Sequence, residues 1–268
     1  MHITSDDRLS ILTLFKAQFR IIVAIMLRDI QTRFFGHALG FLIAIAWPLV
    51  HILILIVLFS LFGRGAPYGE SMTVFFATGL VPFMTFSYMS RFTMLSLIFN
   101  KPLLVFPAIK VLDILLARTL LELLGSCCMV IVLLVIFLFF GIDFMPMDVV
   151  EAAFALGAAM LLGAGFGIVN GILAMAIPTW ATGYSLVIVG LYIISGIAFV
   201  PDAMPETIRY FLSFNPSLQT VEWMRSAYYP GYSTILDKEY TIAVGAVTIF
   251  FGLLIERLVR GHLLVSRA

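Results

Sequence analysis

Charge is scarce in this sequence. Asp, Glu, Lys and Arg make up 12% of its 268 residues, and the formal balance is +1. Soluble domains carry about 25% charged residues, so the composition argues against one. A nearly neutral balance also argues against nucleic acid as a partner, which would call for a basic face. Cysteine is scarcer still. Cys127 and Cys128 stand side by side in an apolar run. Neighbouring cysteines rarely bond each other, and two small apolar helix residues are expected there.

No Gly-Lys pair occurs anywhere, so the phosphate loop G-x-x-x-x-G-K-S/T is missing, and with it that route to ATP hydrolysis. Neither H-E-x-x-H nor a Cys/His cluster is present, and no metal or cofactor is expected in this chain. The acidic residues are scattered rather than gathered at one interface, which weighs against a membrane enzyme of lipid-linked glycan synthesis. A proton-coupled carrier would bury an acid within its spans; Glu122 comes nearest, and it stands near a boundary. Inverted repeats, common in such carriers, are not visible. The first ten residues are polar and the next apolar stretch carries Lys16 and Arg20, so no cleavable signal is expected.

What the chain has is apolar length: 62% hydrophobic residues, 14% aromatic, and a mean hydropathy of +1.10. These values describe an all-α polytopic membrane protein of one domain with six transmembrane helices. Apolar stretches at about 39–62, 72–90, 119–140, 149–177, 183–200 and 240–259 each approach the ~20 residues that a crossing needs. Before them, residues 8–27 pattern as an amphipathic helix, with Ile11, Phe15, Phe19, Ile22 and Met26 on one face and Thr13, Lys16, Arg20 and Ala24 on the other. Such a helix lies flat on a membrane surface or caps the spans from the water side, and the sequence leaves both open. The periodicity breaks after Leu27, because Asp29 and Arg33 would fall on the apolar face. A separate element is therefore expected from Arg28 to Phe34.

Pro48 should kink the first span and Pro82 the second, which Arg91 is expected to end. His51, inside the first span, is a functional candidate because ionisable groups are costly there. In the fourth span Ala155, Ala159, Gly163, Gly167 and Gly171 recur every fourth residue, a stripe that lets two backbones approach closely.

Residues 201–231 stand between the fifth and sixth spans. Pro205 opens one short helical pattern. Asn215 and Pro216 open another, at its N-cap and first helical positions. Asp202, Glu206, Arg209, Glu222 and Arg225 interrupt these pieces, yet Phe211, Phe214, Leu218 and Trp223 make them too apolar for an ordinary loop. A re-entrant hairpin is expected, since broken backbone at membrane depth needs protein or water around it. Its candidate residues are Pro201, Pro205, Asn215, Pro216, Glu222 and Arg225; the last two, three apart, can pair. Six spans put both termini on one side. With Arg91 and Arg118 set aside at boundaries, that side holds Arg8, Lys16, Arg20, Arg28, Arg33, Lys101, Lys110, Arg257, Arg260 and Arg267. The other side holds Arg64, Arg209, Arg225 and Lys238. Ten against four places the termini in the cytoplasm and the hairpin outside.

Ser195-Gly196-Ile197, Pro201, Pro205, Asn215-Pro216, Val221-Glu222 and Arg225 together resemble the signature of ABC-2 type permeases. Other stretches narrow the resemblance to permeases that export capsular polysaccharide. They are Leu27-Arg28-Asp29-Ile30-Gln31-Thr32-Arg33-Phe34, Leu39-Gly40-Phe41, Trp47-Pro48, His51-Ile52-Leu53-Ile54, Gly79-Leu80-Val81-Pro82-Phe83 and Tyr229-Pro230-Gly231-Tyr232. The similarity runs in order along nearly the whole chain. One departure is Trp47, where the family pattern has a glutamate before the proline; it removes a charge from the path.

The resemblance implies a bacterial inner-membrane transport subunit rather than an enzyme. Two copies would pair around a path, and two separate ATP-binding cassette subunits would hold ATP and Mg. The cargo would be a long, lipid-linked polysaccharide, handed on to export proteins of the periplasm and outer membrane. Contacts with the ATPase would fall on Lys16, Arg20, Arg28 and Arg33, and on Asn100, Lys101, Pro102, Phe106, Pro107 and Lys110. Trp47, His51, Tyr88, Tyr184 and Phe199 are the candidate path residues. O-antigen, teichoic acid and drug exporters share the broader pattern and stay open as alternatives. A non-transporting scaffold would not need a hairpin that caps a path.

Overall fold

The computed structural model describes residues 11–33, 39–61, 65–177, 179–232 and 235–265. The regular structure among them is helical: α1 (Ile11–Arg33), α2 (Leu39–Leu61), α3 (Met72–Phe99), a 3-10 turn (Lys101–Val105), α4 (Val111–Phe139), α5 (Val149–Ala176), α6 (Trp180–Ile194), a second 3-10 turn (Pro201–Ala203), α7 (Glu206–Ser213), α8 (Pro216–Tyr228) and α9 (Lys238–Val265). Residues 8–10, Phe34, Arg64 and Arg267 of the expected elements lie outside the described residues, as do the side chains of Arg33 and Arg260.

Five helices, α2, α3, α4, α5 and α9, are long and apolar enough to cross a membrane. The stretch expected as the fifth span, 183–200, behaves differently. α6 has 15 residues, about 22 Å of helix, short of a ~30 Å hydrocarbon layer. It stops at Ile194, and the chain turns through Ser195 and Gly196, whose φ of +72° suits glycine.

Charged positions that were expected to end elements turn out to lie inside helices, and Asp29 among them is paired there. α3 starts under a cap in which Ser71 Oγ accepts from the Val74 amide, passes Arg91 and ends at Phe99. α4 begins at Val111, a helical lead into the apolar stretch from about Thr119; the Asp113 carboxylate accepts the Lys110 amide at 2.9 Å and holds its first turn. α1 runs unbroken past Leu27. Its inward face is Gln18, Ile22, Ile25 and Asp29, one helical stripe, while Phe15 and Phe19 are exposed. Asp29 does fall on the buried face, but Arg118 of α4 stands 3.8 Å away and Asn100 donates to it at 3.4 Å. A paired acid no longer stops the helix. Gln18 bonds Asp113 on the same face.

α3 forms the middle of the bundle and packs on α2, α4, α5 and α8, and α5 packs in turn on α8 and α9. The small stripe of α5 meets α3. A Cβ on Gly163 would come within 2.8 Å of Met89 Cβ, and one on Gly167 within 2.6 Å of Thr93 Cβ. Close backbone approach of this kind is the main packing device between helices in lipid.

Candidate functional site

α8 organises one end of the bundle. The Asn215 side chain caps it, accepting from the Ser217 amide at 3.0 Å. The same side chain donates to the Ile194 carbonyl at 3.2 Å and to Ser195 Oγ at 3.3 Å, so it stitches the end of α6 to the start of α8. Ten of the helix's 13 residues are buried, although its sequence is not markedly apolar. Most of its polar side chains are tied to neighbouring segments. Gln219 donates to the Ser213 carbonyl at 2.8 Å and accepts the Asp237 amide at 2.7 Å. Trp223 Nε1 donates to Glu151 at 2.6 Å, and Lys238 reaches the same oxygen at 2.7 Å, which ties α8 to α5 and α9.

Arg225 is fully buried, and it explains how the break after α6 is tolerated. Its guanidinium donates to the carbonyls of Ile197 and Phe199, both at 3.0 Å, in the non-helical segment after α6. It lies 3.7 Å from Glu222, and its carbon sits 3.9 Å from the centre of the Phe75 ring. Tyr232 donates to Glu222 at 2.9 Å. Gly79 of α3 leaves room for this group: a Cβ there would lie 3.2 Å from Arg225 Nη2 and 3.2 Å from Ile197 Cα. Thus the Glu222–Arg225 pair expected from spacing is present, with a second function in satisfying unwound backbone at depth. Gly79 and Tyr232 belong to the same assembly; the glycine inside an apolar helix and the Tyr-Pro-Gly-Tyr turn were the sequence signals for them.

The path candidates divide. His51 Nδ1 and the Tyr88 hydroxyl are 3.0 Å apart, and the Tyr184 hydroxyl bonds Ser90. His51, Tyr88 and Tyr184 line one cleft of about 370 Å³ between α2, α3 and α6, together with Arg91, Ser185 and Tyr192. Trp47 stands one turn from His51 on α2 and is 66% exposed. Phe199 is not part of the cleft; it serves Arg225 through its carbonyl. Arg91, Ser185 and Tyr192 had no pattern in the sequence to mark them, since only the packing of α6 on α3 brings them together.

At the other end of the bundle, α1 and the 3-10 turn come together. Arg28 donates to Asn100 Oδ1 at 2.7 Å, and Arg118 bonds Glu122 in the i,i+4 pair foreseen from spacing. Burial pushes the Asp29 carboxyl above its ordinary range, against the pull of Arg118. Lys16, Arg20, Lys101, Pro102, Phe106, Pro107 and Lys110 are exposed around this cluster, and Phe99 and Val105 add apolar surface beside them.

Residues 20–229 match the ABC-2 type transporter family. The chain belongs to that family. Among relatives of this ABC-2 chain, the polysialic acid transport protein KpsM of Escherichia coli is 30% identical over 244 residues, 91% of this chain and 95% of that protein. The capsule polysaccharide export inner-membrane protein CtrC of Neisseria meningitidis is 24% identical over 237 residues in serogroup A and 26% over 240 in serogroup B, in each case 88% of this chain and 89% of the relative. The ABC-2 match spans α1 from Arg20 through α8, so the cleft, the Arg118 cluster and the Arg225 assembly all lie inside it.

Proposed function

We propose that this chain is the membrane permease of a capsular polysaccharide exporter in a bacterial inner membrane. It pairs with a second copy and works with two ATP-binding subunits, which hold ATP and Mg. The cargo is a lipid-linked polysaccharide. The observation that carries the reading is the Arg225 assembly: a short α6, an unwound segment and a buried α8 close one end of the bundle. Non-helical backbone at membrane depth is tolerated where it is buried in protein or lines a water-filled cavity. Full-length similarity to KpsM and CtrC, whose names state polysialic acid transport and capsule polysaccharide export, supports the cargo class.

The Lys and Arg balance supports cytoplasmic termini, with α1 on the inner surface and the hairpin outside. In that arrangement α6 and residues 195–200 together make the fifth of six crossings, and the exposed ring around the Lys101–Val105 turn faces the ATPase. Residues Phe99, Val105 and Phe106 supply an apolar contact flanked by Lys101 and Lys110, a composition suited to a docking point. Deleting the gene in its own host and measuring glycan outside and inside the cell tests the proposal. Surface glycan should vanish while glycan accumulates within, and the intact gene should restore it. Normal surface glycan in the deletion, or no glycan in either place, would overturn the proposal.

A further inference from the structure

α3 is 28 residues long, about 42 Å, and Arg91 lies eight residues before its end, some 12 Å along the axis. Relative to Asn100, where α1 meets the bundle, it is about 13 Å deeper. An exposed cation at that depth is costly and marks a functional position by default. Arg91 makes no ion pair or hydrogen bond among the described residues, whereas Arg118 and Arg225 on the same bundle are both paired.

The spanning helices offer it no counter-ion. α2, α3 and α6 contain no acid. Asp113 holds the start of α4, Glu122 pairs with Arg118, Glu151 pairs with Lys238, Glu256 is buried with a contact of its own, and Glu239 stands in the first turn of α9 at the hairpin end. The same inventory holds for a second copy of the chain. A charge balance for Arg91 must therefore arrive with a ligand.

The cleft describes that ligand. α2 and α6 each lean on α3 without packing extensively on each other, so the cleft is open along one side. Its one charged group, Arg91, lies toward the α1 end with Ser87, Tyr88, Tyr184 and Ser185, and His51 joins them through Tyr88. One to two turns toward the bilayer middle the lining becomes mainly apolar, with Leu55, Phe83, Ile188 and Val189, and Tyr192 set edge-on against Phe83. A polar, cationic head position followed by an apolar slot matches a lipid of the inner leaflet, phosphate first and alkyl chain toward the midplane. An acidic sugar chain would instead call for repeated cations, and the cleft has one. The geometry points to Arg91 as the residue that receives the phosphate of a lipid anchor, which makes it a specificity-determining residue of the permease. This inference rests on the exporter reading and adds the lipid phosphate as the group recognised.

The test uses the purified membrane complex in phosphatidylcholine nanodiscs containing a photoreactive phosphatidic acid, a plain lipid phosphate. Crosslinks should map to the α3 and α6 walls of the cleft. Arg91→Gln should reduce them about tenfold, as expected for one charge-assisted contact, and Arg91→Lys should keep most of them. Photoreactive phosphatidylcholine should crosslink weakly and independently of residue 91, and a soluble sialic acid polymer should not compete. Equal crosslinking in Arg91→Gln and the unaltered chain would overturn the inference, as would displacement by the soluble polymer, which would make sugar carboxylates the ligand. In cells, Arg91→Gln at normal abundance should lose surface glycan. Normal surface glycan in that variant would end the role of Arg91 and leave the exporter reading standing. That reading falls only if the deletion strain fails its own test.

Discussion

α7 and α8 are consecutive helices joined at Asn215, and their surroundings are opposite. α7 has no buried residue, and Tyr210, Phe211 and Phe214 at its apolar side are exposed. α8 is richer in polar groups, yet most of it is buried between α3, α5 and α9. Hydrophobicity alone would not separate them. The difference lies in hydrogen-bond partners: Asn215, Gln219, Glu222, Trp223 and Arg225 of the α8 segment each meet a group on another element, whereas the charges of α7 pair locally, as Arg209 does with Asp202 at 3.6 Å. Burial here follows satisfied polarity, as it must in a membrane protein. The α7–α8 segment is thus two things, an exposed surface helix and a buried helix fixed in the bundle.

Arg225→Leu should break the contrast most severely. It leaves Glu222 buried without its cation, a change that costs about 3–5 kcal/mol, and strips the Ile197 and Phe199 carbonyls of their donor. Thermal unfolding in detergent should show a large loss of stability, with low abundance in the membrane. Removing Glu222 as well should not restore it, because the two carbonyls remain unserved; full recovery in the double variant would reduce Arg225 to an ordinary ion pair.

Asn215→Leu should rank second. It removes an N-cap, about 1–2 kcal/mol, together with two donated bonds. Asn215→Asp keeps the cap but cannot donate to Ile194 or Ser195, so it should fall between Leu and the native residue in the same melting experiment. Phe211→Ser on α7 should have the smallest effect, within about 0.5 kcal/mol, with abundance unchanged. A loss as large as that of Asn215→Leu would mean that α7 is packed against something and the comparison is wrong.

Much of the fold was legible in the sequence. The long apolar stretches, the small stripe of α5, the Asn215–Pro216 start and the Glu222–Arg225 spacing all report local or one-helix properties, and periodicity carries those well. Element ends were read less well wherever a charge had a distant partner. Asp29 looked like a stop because Arg118, 89 positions later in the chain, cannot be seen from a helical wheel. Likewise the sequence reads as one apolar stretch to Val200, since Ile197, Phe199 and Val200 are apolar; the helix stops at Ile194, and Arg225 donates to the Ile197 and Phe199 carbonyls beyond it. The cleft was half visible. His51, Tyr88 and Tyr184 stand out as polar groups in spans, but Arg91 reads as the end of the second span, and only the structure carries that helix on to Phe99.

The division between α7 and α8 can be measured directly by cysteine accessibility. In a chain with Cys127 and Cys128 replaced by alanine, single cysteines are placed at Tyr210 on α7 and at Thr220 on α8, which is fully buried. A membrane-impermeant maleimide is then applied to the outer face of the inner membrane. Tyr210→Cys should label rapidly from that face, and Thr220→Cys should stay protected until denaturant opens the bundle. Labelling of Thr220→Cys as fast as Tyr210→Cys would contradict a buried α8, and labelling of Tyr210→Cys only from the cytoplasmic face would contradict the proposed orientation.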